Sequence, residues 1–150
     1  MINFVKFNKY FLDKSWEWLN DREIKQMTNT SDFTKKDQLK WFKSIKKNNS
    51  YKIWGILLDK KPIGACGIKN IHKEKGEYWG YIGEKEEWGK GYGKEIINYI
   101  ETKSKKMGIK NIYLKVIENN ERAINLYTKM GFKYISKNNN IVTMEKQLNK

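Results

Sequence analysis

The sequence is poor in cysteine and histidine. Its 150 residues contain one cysteine, Cys66, and one histidine, His72. A single cysteine excludes an intramolecular disulfide and a zinc site built from several cysteines. We therefore expect no metal site and a protein of a reducing compartment, the cytoplasm. Cys66 is expected to lie in the core, and His72 in a surface loop.

Long apolar runs are also missing. The longest, at residues 53–58, is far shorter than the roughly 20 residues of a membrane-spanning helix. The first residues, from Met1 to Lys6, reach a charge before they form the apolar segment of a signal peptide. The sequence therefore predicts a soluble protein with no membrane partner.

Arginine and negative charge are scarce. The chain carries 31 lysines and arginines against 17 acidic residues, a formal net charge of +14. Only Arg22 and Arg122 are arginines, and specific recognition of bases and phosphates relies strongly on arginine. We therefore expect no nucleic-acid partner. The excess of lysine fits either a small polyanionic ligand or a biased composition displayed on a solvated surface.

The apolar pattern alternates between strand-like and helix-like periods, which predicts one mixed α/β domain over residues 1–150. Strands are predicted at residues 2–7, 51–58, 62–71, 76–83, 111–117, 132–136 and 141–147. Helices are predicted at residues 10–19, from Thr34 onward, and at residues 90–107 and 121–130. Thr34 and Asp37 have the spacing of a capping box.

A glycine-rich segment at residues 88–94 follows one predicted strand and begins a predicted helix. Its three glycines at alternate positions allow backbone N–H groups to converge at a helix N-terminus, where the helix dipole favours an anion. A dinucleotide-binding fingerprint needs glycine where Lys94 stands, and a P-loop needs serine or threonine where Glu95 stands. Both of those folds are excluded, and the open alternatives are a different phosphate site or a tight turn.

A second segment covers residues 116–132. Ala123, Leu126, Tyr127 and Met130 have the spacing of one helix face, so Tyr127 is expected to point inward. A buried tyrosine hydroxyl needs a polar partner there. The alternative is a tyrosine that only contributes to the core.

Together the two segments resemble the GNAT family of N-acetyltransferases, which pairs a Q/R-x-x-G-x-G/A loop with a V-x-x-x-N-x-x-A-x-x-x-Y-x-x-x-G-F segment. The second pattern is matched here at Val116, Asn120, Ala123, Tyr127, Gly131 and Phe132. The resemblance implies a GNAT fold, with a mostly antiparallel sheet of about seven strands flanked by about four helices. It also implies direct transfer of an acetyl group from acetyl-CoA to an amine, and a possible homodimer.

The resemblance further implies roles for individual residues. The strand residues Tyr81, Ile82 and Gly83 would pair with the pantetheine arm, and a backbone N–H there would polarise the thioester carbonyl. Asn120 would contact the same arm, and Tyr127 would act as the general acid for the leaving thiolate. The loop would bind the pyrophosphate by its backbone, since tryptophan replaces the family's Arg or Gln. The loop residues are Trp88, Gly89, Lys90, Gly91, Tyr92, Gly93 and Lys94.

The general base is the least defined catalytic group. Lys115 stands where some protein-acetylating relatives have a glutamate, which disfavours a protein acceptor. Glu77 is the candidate base, acting directly or through water, and its alternative is an outward-facing strand residue.

The N-terminal third is similar to the nucleotide-linked amino-sugar acetyltransferases of the pseudaminic acid type. Residues 18–21 and 38–42 resemble their W-R-N-D and E-H-x-x-W-F patterns, and residues 77–84 resemble E-W-G-x-Y-I-G-E. The resemblance implies an amino-sugar nucleotide bound by Trp18, Asn20, Trp41, Glu77 and Trp79.

Other acceptors and another class of protein stay open. A peptide N-terminus, a polyamine or an aminoglycoside could take the place of the sugar. A cationic acceptor suits a chain of +14 only if its acidic residues cluster at the site. A protein that binds acetyl-CoA or nucleic acid without turnover is the alternative of another class.

Overall fold

The computed structural model describes residues 1–148, which form a seven-stranded sheet with helices on both faces. The strands are β1 (Ile2–Lys6), β2 (Lys52–Leu58), β3 (Lys61–His72), β4 (Lys75–Ile82), β5 (Asn111–Ile117), β6 (Lys133–Asn138) and β7 (Ile141–Gln147). The helices are α1 (Lys9–Asn20), α2 (Arg22–Met27), α3 (Lys35–Ile45), α4 (Tyr92–Lys106) and α5 (Glu121–Lys129). A 3-10 helix, Lys85–Glu87, follows β4.

The order of strands in the sheet is β1-β2-β3-β4-β5-β7-β6. All neighbours are antiparallel except β4 and β5, which are parallel. This arrangement confirms the predicted α/β fold with a mixed, mostly antiparallel sheet.

The parallel pairing of β4 with β5 is short. It joins Lys75, Gly76 and Glu77 to residues 111–113 and extends no further along the described strands. Because strands pair only while they stay about 4.8 Å apart, the later parts of β4 and β5 diverge. A gap therefore opens in the middle of the sheet, and one edge of β4 is free from Tyr78 onward.

Two hydrophobic clusters hold the helices against the two faces of the sheet. On one face, Ile96, Ile97 and Ile100 of α4 pack against buried residues of β2, β3 and β5. On the other face, α1, α2 and α3 bury a cluster of mainly aromatic side chains. Fully burying such a side chain contributes roughly 1.5–3 kcal/mol, so both clusters fix the strands around the gap.

Residues 1–148 contain five α-helices where about four were predicted. The additional one is α2, which has six residues and buries only Ile24, so its sequence has no helical period to detect. The side chain of Asp21 caps it by accepting hydrogen bonds from the N–H groups of Glu23 (3.0 Å) and Ile24 (3.2 Å). The predicted capping box of α3 is confirmed, since Thr34 and Asp37 each accept the other's N–H.

Within residues 1–148, no helix combines the length and the apolar character that crossing a membrane requires.

Candidate active site

A cavity of about 1600 Å³ lies at the gap between β4 and β5. Sites for a single small ligand usually measure roughly 300–1,000 Å³, so this cavity has room for two molecules side by side. It brings together most of the residues singled out in the sequence. Those lining it are Trp41, Glu77, Trp79, Tyr81, Ile82, Trp88, Gly89, Gly91, Tyr92, Gly93, Lys94, Asn120 and Tyr127.

Trp18 and Asn20 do not line the cavity, which corrects the expectation that both contact the acceptor. Trp18 is 4% exposed in the aromatic cluster, where its Nε1 donates a hydrogen bond to Oε2 of Glu84 (2.6 Å). Asn20 lies exposed at the end of α1, where its Nδ2 donates to the carbonyl oxygen of Trp16 (2.6 Å). Their type suggested a sugar site, but packing and capping explain both residues.

Gly83 and Lys90 also lie outside the cavity lining. The N–H of Gly83 donates to the carbonyl oxygen of Ile63 (2.6 Å), so it is already occupied by β3. The side chain of Lys90 forms an ion pair with Glu87 (2.9 Å). The Gly83 N–H is therefore not free to bind a ligand, whereas Tyr81 and Ile82 do line the cavity.

The glycine loop presents an uncapped helix N-terminus to the cavity. Gly91 is the N-cap of α4 with a φ of 86°, and no side chain caps the first turn. The first N–H groups of an α-helix have no partner within the helix, so they favour an anion. Lys94 and Arg122 line the cavity beside this turn and add two positive charges. This arrangement fits a diphosphate.

Trp88 connects the loop to the end of β4. Its Nε1 donates a hydrogen bond to the carbonyl oxygen of Ile82 (2.8 Å), and its ring packs against the aromatic cluster. The indole N–H is therefore used within the protein. Backbone groups of the loop are left to bind the ligand, as the sequence predicts.

Tyr127 is held on the inward side of α5, as predicted. Its ring packs edge-on against Tyr78 and Phe132, with centroid separations of 6.3 and 5.9 Å. Burial raises the pKa of Tyr127 to about 12. The phenol therefore keeps its proton at neutral pH, which a proton donor requires.

Asn120 has a structural function in addition to its predicted contact. Its Oδ1 accepts a hydrogen bond from the N–H of Ala123 (3.3 Å) and so caps α5. Because Asn120 also lines the cavity, its Nδ2 is the group that can donate to a ligand.

Glu77 faces the cavity and is 7% exposed, so the interpretation as an outward-facing strand residue is wrong. Its Oε1 accepts a hydrogen bond from Nδ2 of Asn70 (3.0 Å). The ammonium of Lys69 lies 4.0 Å from its Oε2. Asn70 and Lys69 are therefore the polar side chains that face this buried carboxylate from β3.

A row of aromatic rings forms the wall of the cavity beside Glu77. Trp41 contacts Tyr51, Tyr51 contacts Trp79, and Trp79 contacts Tyr81, with centroid separations of 6.0, 6.4 and 6.2 Å. Trp79 and Tyr81 share this face because alternate residues of a strand point the same way. Tyr51 was not predicted as a site residue, since it belongs to no motif; it lies just before β2.

Charges of both signs line the cavity. The acidic residues are Glu23, Asp32, Asp37, Glu77 and Glu87. The basic residues are Lys69, Lys94, Lys115 and Arg122. The acids therefore equal or exceed the bases here, although the whole chain has a net charge of +14.

Cys66 and His72 take no part in this site. Cys66 is fully buried in β3, and burial raises the pKa of its thiol well above the usual range, so it is unreactive. His72 is exposed at the end of β3. The predicted core position of Cys66 is confirmed, whereas His72 is exposed as predicted but belongs to a strand and not to a loop.

Comparison with known proteins identifies the family. The sequence model of the acetyltransferase (GNAT) family matches residues 14–132. This chain belongs to the GNAT acetyltransferase family. The acetyltransferase PseH of Campylobacter jejuni is 23% identical to this chain over 131 residues. The match covers 87% of this chain and 82% of PseH. An uncharacterised protein of Methanocaldococcus jannaschii is 24% identical over 104 residues, or 69% of this chain. The GNAT chain spans 20% of the length of that archaeal relative.

Solved structures share the GNAT fold. Spermidine N-acetyltransferase from Vibrio cholerae, solved with CoA and spermine, superposes with a TM-score of 0.89 at 18% identity, covering 98% of this chain and 95% of that chain. PseH in complex with acetyl coenzyme A superposes with a TM-score of 0.75 at 18% identity, covering 99% of this chain and 100% of that chain. At these identities the likeness establishes the fold.

Proposed function

We propose that this GNAT chain transfers the acetyl group of acetyl-CoA directly to a primary amine of a small molecule. One observation carries the proposal: the cavity places an uncapped helix N-terminus, the free edge of β4, a protonated tyrosine and a buried carboxylate around one space. That combination serves a charged donor, an amide-rich arm and two proton transfers.

The donor binds along the gap in the sheet. Acetyl-CoA supplies an activated thioester, whose carbonyl carbon the amine attacks. The first N–H groups of α4, with Lys94 and Arg122, bind its diphosphate. The free edge of β4 at Tyr81 and Ile82 pairs with the pantetheine amides as an added strand would.

Two side chains of the protein move the protons. Glu77 accepts a proton from the acceptor ammonium, directly or through one water, which frees the nitrogen lone pair for attack. A bond then forms between this nitrogen and the acetyl carbon, while the bond from that carbon to sulfur breaks. Tyr127 donates its hydroxyl proton to the departing thiolate. The amide nitrogen then returns its remaining extra proton to the Tyr127 phenolate, which leaves a neutral amide and a neutral tyrosine, and the proton held by Glu77 is released to solvent. No covalent bond to the enzyme forms at any stage.

The first candidate acceptor is a nucleotide-linked amino sugar. The match to PseH over most of both chains supports this class, as do the motif-like residues that line the cavity, Gln38, Trp41 and Glu77. Trp41 and Trp79 offer apolar faces on which a sugar or base can stack. Lys115, where a protein-acetylating enzyme would have a glutamate, adds a positive charge for a phosphate.

The second candidate acceptor is a polyamine. The observation that favours it is the set of five acidic side chains along the cavity, one more than the four basic ones, in a chain that is strongly basic as a whole. The superposition with a spermidine N-acetyltransferase agrees with this candidate.

A panel of acceptors tests the proposal. We would measure the release of CoA thiol from acetyl-CoA with UDP-linked and dTDP-linked amino sugars, spermidine, an aminoglycoside and N-terminal peptides. We expect turnover with one nucleotide-linked amino sugar and no turnover with the others. Turnover only with spermidine selects the second candidate.

Absence of turnover with every acceptor contradicts the proposed enzyme. If acetyl-CoA nevertheless raises the melting temperature in that case, the chain is a binding protein that retains the donor without using it.

A further inference from the structure

The backbone of Asn70 is unusual. Asn70 lies inside β3 with a φ of 52°, in the left-handed region that residues other than glycine seldom adopt. The register between β3 and β4 shifts between Lys69 and His72, which marks a bulge at this place. Bulges re-aim side chains, and backbone strain of this kind concentrates at functional sites.

The bulge brings two consecutive side chains to one face of the sheet. Lys69 is paired with Glu77 and faces the cavity with it. In a regular strand the next residue, Asn70, would point to the opposite face, toward α4. Instead its Nδ2 donates to Oε1 of Glu77 at 3.0 Å. The left-handed conformation is thus what makes this hydrogen bond possible.

Several other polar groups surround the carboxylate of Glu77. Lys69 of β3 lies 4.0 Å from Oε2, and its side chain is 39% exposed, so water weakens this ion pair. Asn70 is exposed as well. Tyr113 of β5 lies opposite Glu77 in the parallel ladder. Burial raises the pKa of Tyr113 and of Tyr51, and the negative charge of Glu77 raises both further.

Two further lysines are near this carboxylate in the sheet. Lys75 of β4 is two residues away and forms an ion pair with Glu145 of β7 (2.9 Å), and Lys115 of β5 lines the cavity. The Asn70 amide donates the 3.0 Å hydrogen bond to Glu77, and the Tyr113 hydroxyl also lies close to both Asn70 and Glu77.

We propose that Asn70 is a positioning residue for acetyl transfer. Its amide holds Oε1 of Glu77, so that Oε2 points to the acceptor amine and the carboxylate stays ionised until it takes the amine's proton. This inference rests on the proposed function, in which Glu77 is the general base.

Two substitutions of Asn70 separate this role from a structural one. Asn70→Gly removes the amide but suits a positive φ better than asparagine does, so the protein keeps or gains stability. Asn70→Asp tolerates the same backbone but places a second negative charge beside Glu77, which favours its protonated form. Lys73→Gly is the matched control, because Lys73 has a φ of 56° in the turn after β3 and lies outside the cavity.

The experiment measures kcat and KM against pH for the unchanged protein, these three variants and Glu77→Gln. We expect Asn70→Gly to lower kcat about tenfold, because a hydrogen bond to a charged group is worth roughly that factor or more. KM for acetyl-CoA should stay unchanged. The acid limb of the rate profile should move to higher pH in Asn70→Gly and further in Asn70→Asp. Lys73→Gly should match the unchanged protein.

Glu77→Gln distinguishes the two possible failures. If Glu77→Gln loses roughly 100-fold or more in kcat while both Asn70 variants keep the original pH profile, the role of Asn70 is overturned and the proposed base stands. If Glu77→Gln keeps the original kcat and the original dependence of the rate on pH, Glu77 is not the general base. The proposed role of Asn70 is then overturned as well.

Discussion

At the residue scale, burial controls the acid–base chemistry around the cavity. Desolvation raises the pKa of Tyr51, Tyr81 and Tyr127 above the usual value for tyrosine, because a buried phenolate loses its hydration. Of these, only Tyr127 lies on the side of the gap that α5 covers, where the α4 loop would direct the thioester. Tyr51 and Tyr81 instead line the cavity with their aromatic rings.

Replacement of Tyr127 by phenylalanine tests its role as proton donor. Tyr127→Phe keeps the ring contacts with Tyr78 and Phe132 but removes the hydroxyl. We expect kcat to fall roughly 100-fold, the lower range for a general acid, while acetyl-CoA still raises the melting temperature as before. Release of CoA thiol and thermal denaturation with acetyl-CoA would be measured side by side. An unchanged kcat would assign the proton transfer to another group.

Residue type alone misled the sequence interpretation at two positions. Trp18 and Asn20 have the identities of a sugar-binding pair, yet Trp18 packs in the core and Asn20 bonds the backbone of its own helix. Asn70 was missed for the opposite reason, since no motif contains it. Its contact with Glu77 depends on a bulge that local propensity does not encode.

At the scale of elements, the loop before α4 combines two glycines of positive φ with a helix N-terminus. Gly91 caps α4 without a side chain, and a Cβ built on Gly91 meets no atom within 4 Å. Open space on the cavity side of a helix N-terminus is what an anionic ligand needs. The loop was predictable because positive φ, glycine and helix initiation are all local properties.

Gly91→Ala tests this element against a matched control. Gly108 ends the turn after α4 with a φ of 80°, also has no atom within 4 Å of a built Cβ, and lies outside the cavity. Alanine in this conformation should cost each variant about 1–2 kcal/mol of stability. Only Gly91→Ala should also raise KM for acetyl-CoA, by about tenfold if one charge-assisted hydrogen bond is lost. Steady-state kinetics and urea denaturation separate the two effects.

Equal changes of KM in Gly91→Ala and Gly108→Ala would contradict the diphosphate site. They would show that the loop affects catalysis only through the general stability of α4.

At the scale of the whole molecule, a short parallel ladder between two antiparallel halves creates the site. The order β1-β2-β3-β4 and the order β5-β7-β6 are each continuous antiparallel sheets. The cavity exists where these halves separate, and helices on both faces hold them apart. The organisation of residues 1–150 as one domain, the homodimer and the cytoplasmic location stay predictions.

Buried tyrosines are also expected to limit the stability of the folded protein at alkaline pH. An unfolded tyrosine has a pKa of about 10, and Tyr127 has one of about 12 in the folded protein. Between these values the unfolded chain releases a proton that the folded protein keeps, so stability falls as pH rises above 10. The loss is about 1.4 kcal/mol per pH unit for each such tyrosine.

Urea denaturation between pH 8 and pH 11 measures this limit. We expect constant stability up to about pH 9.5 and a decline above it. Tyr127→Phe removes one of the titrating groups. The free energy of unfolding of this variant should therefore decline less steeply with pH, by the contribution of one tyrosine. A variant slope equal to that of the unchanged protein would show that Tyr127 ionises as readily in the folded protein as in the unfolded chain.

The sequence by itself determined the seven strands, every α-helix except α2, the capping box of α3, the glycine loop and the inward face that carries Tyr127. All of these follow from periodicity and backbone preferences within a few neighbouring residues. Only the tertiary structure decided the gap between β4 and β5, the burial of Trp18 and the contact between Asn70 and Glu77. Each of these depends on strand register or on packing between segments far apart in the chain. The local sequence pattern predicts neither of them.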